Sequence, residues 1–321
     1  MAKRFLEEYL DSISVRSFDL GTSGLSWEIG QGERTALFFA HLDQVSLIVE
    51  HVDDEGYIYV KMPGIDPRIV VSQELTVLGK KALRGVVGMS PPHFVTEEER
   101  RQTIPADKLY IDVGMKAEEL RGIVGTGDPC VWNSKPKALQ GSLVTSAGLD
   151  NKAGVFLSLL LTKELNARKL PGKILFVASA QEEVSMLGAS SAARSMSSAH
   201  PSFAVVADVT YGISHGSSDY SFPLGAGPTL GVGPVLSKPH LEAIKNKAET
   251  LSVPYGLEPL GRSTGTESDV ITLIAEGLPA ALISIPVRYM HTPVEVMDMK
   301  DVENASLLLS RVFADKEIWS L

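Results

Sequence analysis

The sequence is poor in the residues that would commit it to several familiar chemistries. It has one cysteine, Cys130, in 321 residues, which excludes an internal disulfide and any multi-thiolate metal site and suits a reducing compartment. Aromatics make up 7%, no run of Lys or Arg occurs, and 39 acids outnumber 30 bases to leave a formal charge of −9. The basic, aromatic-interleaved footprint of a nucleic-acid binder is missing. Apolar runs such as 154–161 and 279–287 fall well short of the roughly 20 residues that span a bilayer. The opening Met-Ala-Lys-Arg-Phe-Leu-Glu-Glu puts acids where an export signal needs an apolar stretch. The expectation is a cytoplasmic protein with neither membrane nor nucleic acid as partner. Any metal it holds must use His and carboxylate.

What is present is organised around Ser179-Ala-Gln-Glu-Glu-Val-Ser-Met-Leu-Gly188, where a buried-looking strand, 173–180, runs into two adjacent carboxylates and a small-residue turn. The Ala-rich stretch 189–196 reads as a helix. Glu182 and Glu183 therefore stand at the carboxyl end of a strand in a β-to-α crossover, the edge at which α/β sheets bind ligands. Neighbouring acids repel unless something positive is shared between them, and a divalent cation is the commonest solution. Alone, the pair is also what a solvated loop carries.

Taken in order, Phe5, Leu6, Tyr9, Leu10 and Ile13 recur at helical spacing. The apolar strand 35–40 then ends at His41-Leu42-Asp43. In an extended chain those two polar side chains share a face, so the pair can supply a metal-binding imidazole and an acid that fixes its tautomer; a capped strand end would look the same. Residues 45–62 read as a hairpin turning at Asp53–Gly56, and 63–142 as short β pieces (74–78, 84–89, 108–113) with a mobile-looking loop at 91–105. The texture predicts a β-rich domain, 63–142, inserted into an α/β domain made of 1–62 and 143–321. Asp150, in Gly148-Leu-Asp-Asn-Lys-Ala-Gly154, precedes the apolar helix 153–165 and is either its N-cap or a ligand. The strand 203–207 ends at Asp208, 268–276 reads as helix, the strand 279–285 runs on to His291, and Asp298 caps the closing helix. His51, His93, His200, His215 and His240 lack partners at ligand spacing.

His41 with Asp43, Glu182 with Glu183, Asp208 and His291 thus collect at strand ends, with Asp150 at a helix start between them. Two imidazoles and several carboxylates without thiolate suit two borderline-hard divalent ions such as Zn²⁺, Co²⁺ or Mn²⁺. One carboxylate bridging two ions roughly 3.5–4 Å apart would polarise a carbonyl and activate water, so the reaction class is hydrolysis.

These residues resemble those of the dinuclear metallo-aminopeptidases that include glutamyl aminopeptidases and the tetrahedral (TET) aminopeptidases, some of which carry the label endoglucanase. The similar stretches are His41-Leu-Asp43, Gly64-Ile-Asp-Pro-Arg68, Pro91-Pro-His93, Gly148–Gly154, Gln181-Glu-Glu-Val184, Asp208-Val-Thr210, Ile285–Val296 and Asp301-Val-Glu-Asn304. The resemblance implies an α/β catalytic domain with a central mixed sheet flanked by helices and an inserted β-barrel-like domain used in oligomerisation. It implies His41, Asp150, Glu183, Asp208 and His291 as ligands of two metals, with Asp150 bridging and the following peptide cis. It also implies Glu182 as the general base, with Asp43, behind the ligands, as its catalytic counterpart. The expected activity is release of N-terminal residues from short peptides by a homo-oligomer, expected as a dodecamer of dimers. Endoglucanase activity and a non-catalytic assembly role are the alternatives. Two departures stand out. Asn151 and Lys152 occupy places where the family usually has Asp and Arg, and Gly265-Thr-Glu-Ser-Asp269 stands where it more often reads Gly-Thr-Asp-Ala. Asn151 keeps the size and hydrogen bonding of Asp, so two metals are still expected.

Overall fold

The computed structural model describes residues 2–217, 220–274 and 277–321. Among them, an 11-stranded mixed sheet is ordered Ser17–Asp19, Gly24–Gly30, Lys173–Ser179, Thr35–His41, Phe203–Tyr211, Ala280–Arg288, Glu295–Asp298, Leu143–Ser146, Lys137–Ala138, with Thr229–Val232 and Gly256–Pro259 joined beside Ala280–Arg288. Its centre is parallel: Lys173–Ser179, Thr35–His41, Phe203–Tyr211 and Ala280–Arg288 all run the same way, and antiparallel strands close both flanks. Parallel strands are covered on both faces and so read as unbroken apolar runs. Thr35–His41 shows this. Ala36, Phe38 and Ala40 pack on one side with the helices Ala2–Ser12, Leu149–Leu165 and Met299–Ala314, while Leu37 and Phe39 pack on the other with Ala189, Ala192 and Ala193 of the helix Leu187–Met196.

The second core lies in a closed six-stranded barrel of Leu47–Val52, Ile58–Lys61, Tyr110–Asp112, Ala82–Gly88, Glu74–Leu78 and Pro129–Trp132. The hairpin 45–62, assigned from sequence to the first α/β segment, supplies two barrel strands, because Leu47 and Ile48 pair with Cys130 and Pro129 rather than with the large sheet. The stretch 91–105 contains the short helix Glu97–Arg100. The helix expected over 268–276 is confined to Ser268–Ile271, and Glu276 lies outside the described residues. No helix among the described residues is long and apolar enough to cross a membrane.

Candidate metal centre

His41 closes its strand beside Ser179, its partner in the parallel register, and Leu42 N–H donates to Ser179 O at 2.7 Å. That pairing brings the chain after residue 179 alongside the chain after residue 41. The turn between strand and helix is tight. Gly188 has no alternative there, because a Cβ would lie 1.9 Å from Ala180 O. Gln181 (φ 64°) and Met186 (φ 55°) flank the short helix Glu182–Ser185, and Tyr289 (φ 58°) and His291 (φ 63°) lie in the loop opposite. Left-handed backbone at non-glycine residues is uncommon, and here it coincides with the segments that present the acids and the imidazole.

Asp150 is the centre of the cluster. Its Oδ1 lies 3.1 Å from His41 Nε2 and its Oδ2 lies 3.2 Å from His291 Nε2. Glu182 and Glu183 diverge as adjacent residues must. Glu182 Oε2 is 4.0 Å from His41 Nε2, and Glu183 Oε2 is 3.4 Å from His291 Nε2. Asp208 Oδ1 is 3.7 Å from His41 Nε2. It does not end a strand as the sequence suggested. Phe203–Tyr211 continues through it, paired with Ala280–Arg288, so that Asp208 projects from the middle of the sheet opposite Ser284. His41, Asp150 and Glu183 offer ligand atoms that all lie within 4.8 Å of one another. Asp208 and His291 stand at the margins of that group, His291 on the open side with a side chain 35% exposed.

Asp43 takes a different part from the one its spacing suggested. The strand ends at His41, and the nearer partner of His41 Nδ1 is the Asp43 backbone carbonyl at 3.1 Å, with the carboxylate at 3.7 Å. An Nδ1–H donating to that carbonyl leaves Nε2 as the nitrogen turned to Asp150, protonated in the protein alone and a lone-pair donor once a cation takes the proton's place. The Asp43 carboxylate instead accepts the backbone N–H groups of Glu182 and Glu183, at 3.2 and 3.3 Å. It anchors the turn that carries both glutamates.

The electrostatics show what the cluster is short of. Burial would keep the His41 imidazole neutral, yet Asp150 and Asp208 outweigh it and push its pKa well up. His291 is raised to about 9, chiefly by its hydrogen bond to Asp150. Burial also tends to raise Asp150, but the two imidazoles hold it at about 2. Burial lifts Glu182 to about 7 and Glu183 to about 8, with Asp150 adding to the second. Among the described residues, protons on these imidazoles supply the positive charge at the centre of the carboxylate cluster. Glu183 Oε1 is buried and, among the described residues, has no hydrogen-bond partner. An unpartnered carboxylate oxygen and two imidazoles turned onto one carboxylate fit a set of cation ligands, and binding would release those protons.

Two further acids escaped the sequence reading. Glu267, buried and raised to about 8 by desolvation, accepts from Ser179 Oγ. Glu295 is buried and accepts backbone N–H groups from Asp150 and His291. Both lie in stretches that the resemblance marks, 265–269 and 285–296, but an acid in a loop or at a strand start reads locally as solvated. The departures also have places. Asn151, buried, donates to Ala207 O at 2.8 Å and accepts from Gly154 N–H at 2.9 Å, and Lys152 donates to Gln44 Oε1 and Ala147 O. The Asp150–Asn151 peptide is cis.

A carboxylate-and-imidazole centre at the carboxyl edge of a mixed α/β sheet belongs to the class of metal-dependent hydrolases. The family model for M42 glutamyl aminopeptidase matches residues 25–308, and the chain belongs to that family. It is 31% identical over 273 residues to lysyl aminopeptidase of Pyrococcus furiosus, covering 83% of this chain and 77% of that one. The structure is similar to the aminopeptidase APDkam598 of Desulfurococcus kamchatkensis, at 29% identity and a TM-score of 0.87, over 99% of this chain and 90% of that one. It is also similar to the TET1 peptidase of Pyrococcus horikoshii, at 27% identity and a TM-score of 0.84, over 98% and 94% of the two chains.

Proposed function

We propose that the protein is an aminopeptidase that removes N-terminal residues from short peptides at a centre of two divalent ions, Zn²⁺ or Co²⁺ before Mn²⁺. The observation that carries this reading is Asp150, whose two oxygens each face a different imidazole. His41 and Asp208 would hold one ion, His291 and Glu183 the other, and Asp150 would lie between them. When bound, such ions polarise the scissile carbonyl and make water a better acid. Glu182 Oε2 lies 4.0 Å from His41 Nε2, and the backbone N–H groups of its turn are taken up by Asp43. It takes the proton of the attacking water and delivers it to the leaving amine. Asp43 acts through the turn, keeping Glu182 and Glu183 apart and aimed. Burial raises the Glu182 carboxyl above its ordinary range, and cations held nearby would favour the ionised form that a base needs.

Endoglucanase chemistry is less well served. A glycosidase needs two carboxylates flanking the bond and has no use for imidazoles turned onto a shared carboxylate. Retention of every proposed ligand also speaks against a purely structural role. The relative from Pyrococcus horikoshii is described as assembling into a tetrahedron or a large octahedral shell. With that support, the barrel is proposed as an assembly element and the chain as a dodecamer. The test is release of chromogen from a panel of aminoacyl substrates, with soluble cellulose alongside, before and after chelation and with metal restored. Peptidase activity lost on chelation and regained with Zn²⁺ or Co²⁺ is expected. Cellulose hydrolysis indifferent to chelator would overturn the reading.

A further inference from the structure

We infer that Glu295 is the positioning residue of this centre, setting the spacing of Asp150 and His291 by accepting a hydrogen bond from the backbone of each; the inference rests on the metal-centre reading above. Glu295 opens the strand Glu295–Asp298, sits opposite Ser146 in the sheet, and is 1% exposed. Its Oε1 accepts from His291 N–H at 2.8 Å and its Oε2 from Asp150 N–H at 3.2 Å. Neither of those residues is held by regular structure. His291 has φ 63° in a loop, and Asp150 has φ −77° and ψ 103° inside an otherwise helical run. Their side chains meet at 3.2 Å while their backbones are tied to the two oxygens of one carboxylate. Asp150, His291 and Glu295 therefore close a ring, and the position of either proposed ligand is defined relative to the other through Glu295.

A carboxylate is required for this. Ionised, it is acceptor-only at both oxygens, whereas an amide has one accepting oxygen and would set an NH₂ group against a backbone N–H. Shortening the side chain by one methylene keeps the charge but leaves it unable to reach both donors. Lys152 lies close enough for its charge to act on Glu295, while its own hydrogen bonds go to Gln44 and Ala147.

The experiment titrates metal-free wild type, Glu295→Gln and Glu295→Asp with Co²⁺, following visible absorption and, at saturating metal, peptidase kcat and KM separately. The expected result is a cobalt dissociation constant weakened about 10–100-fold in both variants, the usual cost of losing a group that orients ligands. An altered band pattern and a fall in kcat rather than a rise in KM should accompany it. Variants that bind Co²⁺ with wild-type affinity and spectrum would overturn this inference alone. A wild-type chain that takes up no Co²⁺ would overturn the proposed function and this inference with it. Hydrogen exchange on the metal-free wild type needs no variant to fold. Protection of the Asp150 and His291 amides is expected, and exchange of either at the rate of an open loop would overturn the assignment.

Discussion

Glu182→Gln isolates proton transfer from metal binding. Gln keeps the shape of Glu, and the backbone N–H of residue 182 stays bonded to Asp43, so the turn carrying Glu183 should not move. What disappears is the proton acceptor. A positioned base is worth about 10²–10⁴-fold, or about 3–5 kcal/mol in the barrier, and kcat should fall by that factor with KM little changed. The pH profile supplies a second reading. Burial raises Glu182 to about 7, His41 opposing it and Asp208, Asp150 and Asp43 adding to it. The base works ionised, so kcat/KM must fall as pH drops through the pKa of Glu182 in the metal-loaded protein. Cations held nearby favour the carboxylate, which places the acid limb at or below about 7. In Glu182→Gln the part of that limb due to residue 182 should vanish. Glu183→Gln should instead weaken metal binding and recover in part with excess metal. Elemental analysis beside chromogen release on both variants is the assay. Should Glu182→Gln lose metal and be rescued by it, while Glu183→Gln keeps its ions and dies, the two roles are exchanged and the reasoning fails.

Much of the fold was legible because its centre is built from parallel strands buried on both faces, and such strands leave unbroken apolar runs. Thr35–His41 and Lys173–Ser179 were found within a residue of their ends. The limits of local pattern appear where pairing is decided at a distance. The hairpin Leu47–Lys61 has the same alternation whether it extends the large sheet or closes a barrel, and only its pairing with Pro129–Trp132 decides. Asp208 misled for a related reason. An acid after an apolar run looks like an end, but in a central strand it occupies the face turned to the site while Val209 continues the core on the other. Asp43 could be seen as part of the site, but not which of its atoms His41 would meet, since that depends on where the strand stops. Glu267 and Glu295 lie in stretches that the resemblance marks, 265–269 and 285–296, but nothing local set them apart as site acids, because what distinguishes a buried acid from a surface one is its neighbours, and these come from other elements.

Three further outcomes are expected. Light scattering of the metal-loaded protein at micromolar concentration should give the mass of a dodecamer, and a fully active monomer would refute the assembly proposal. Thr162→Val should lower stability by about 1–3 kcal/mol in denaturant titration, because Trp27, fully buried and stacked on Phe176, donates its indole N–H to Thr162 Oγ1 at 2.7 Å; an unchanged midpoint would show that the indole finds another acceptor. The last concerns Asn151, where the resembling peptidases usually have Asp. Restoring the acid by Asn151→Asp changes the size of the side chain little, but its hydrogen bonds make the change costly. Asn151 donates through Nδ2 to Ala207 O at 2.8 Å while its Oδ1 accepts from Gly154 N–H at 2.9 Å. An ionised Asp can keep the second bond and must turn an oxygen lone pair on the carbonyl in place of the first, adding negative charge beside Asp150. The loss of a buried donor and the unpaired acceptor it leaves should cost about 1–3 kcal/mol at neutral pH. A protonated carboxyl regains an O–H donor, so the deficit should shrink as pH falls. Equal stability of the two proteins at neutral pH would show that the bond to Ala207 contributes nothing, and that Asn151 is no adaptation to this chain's packing.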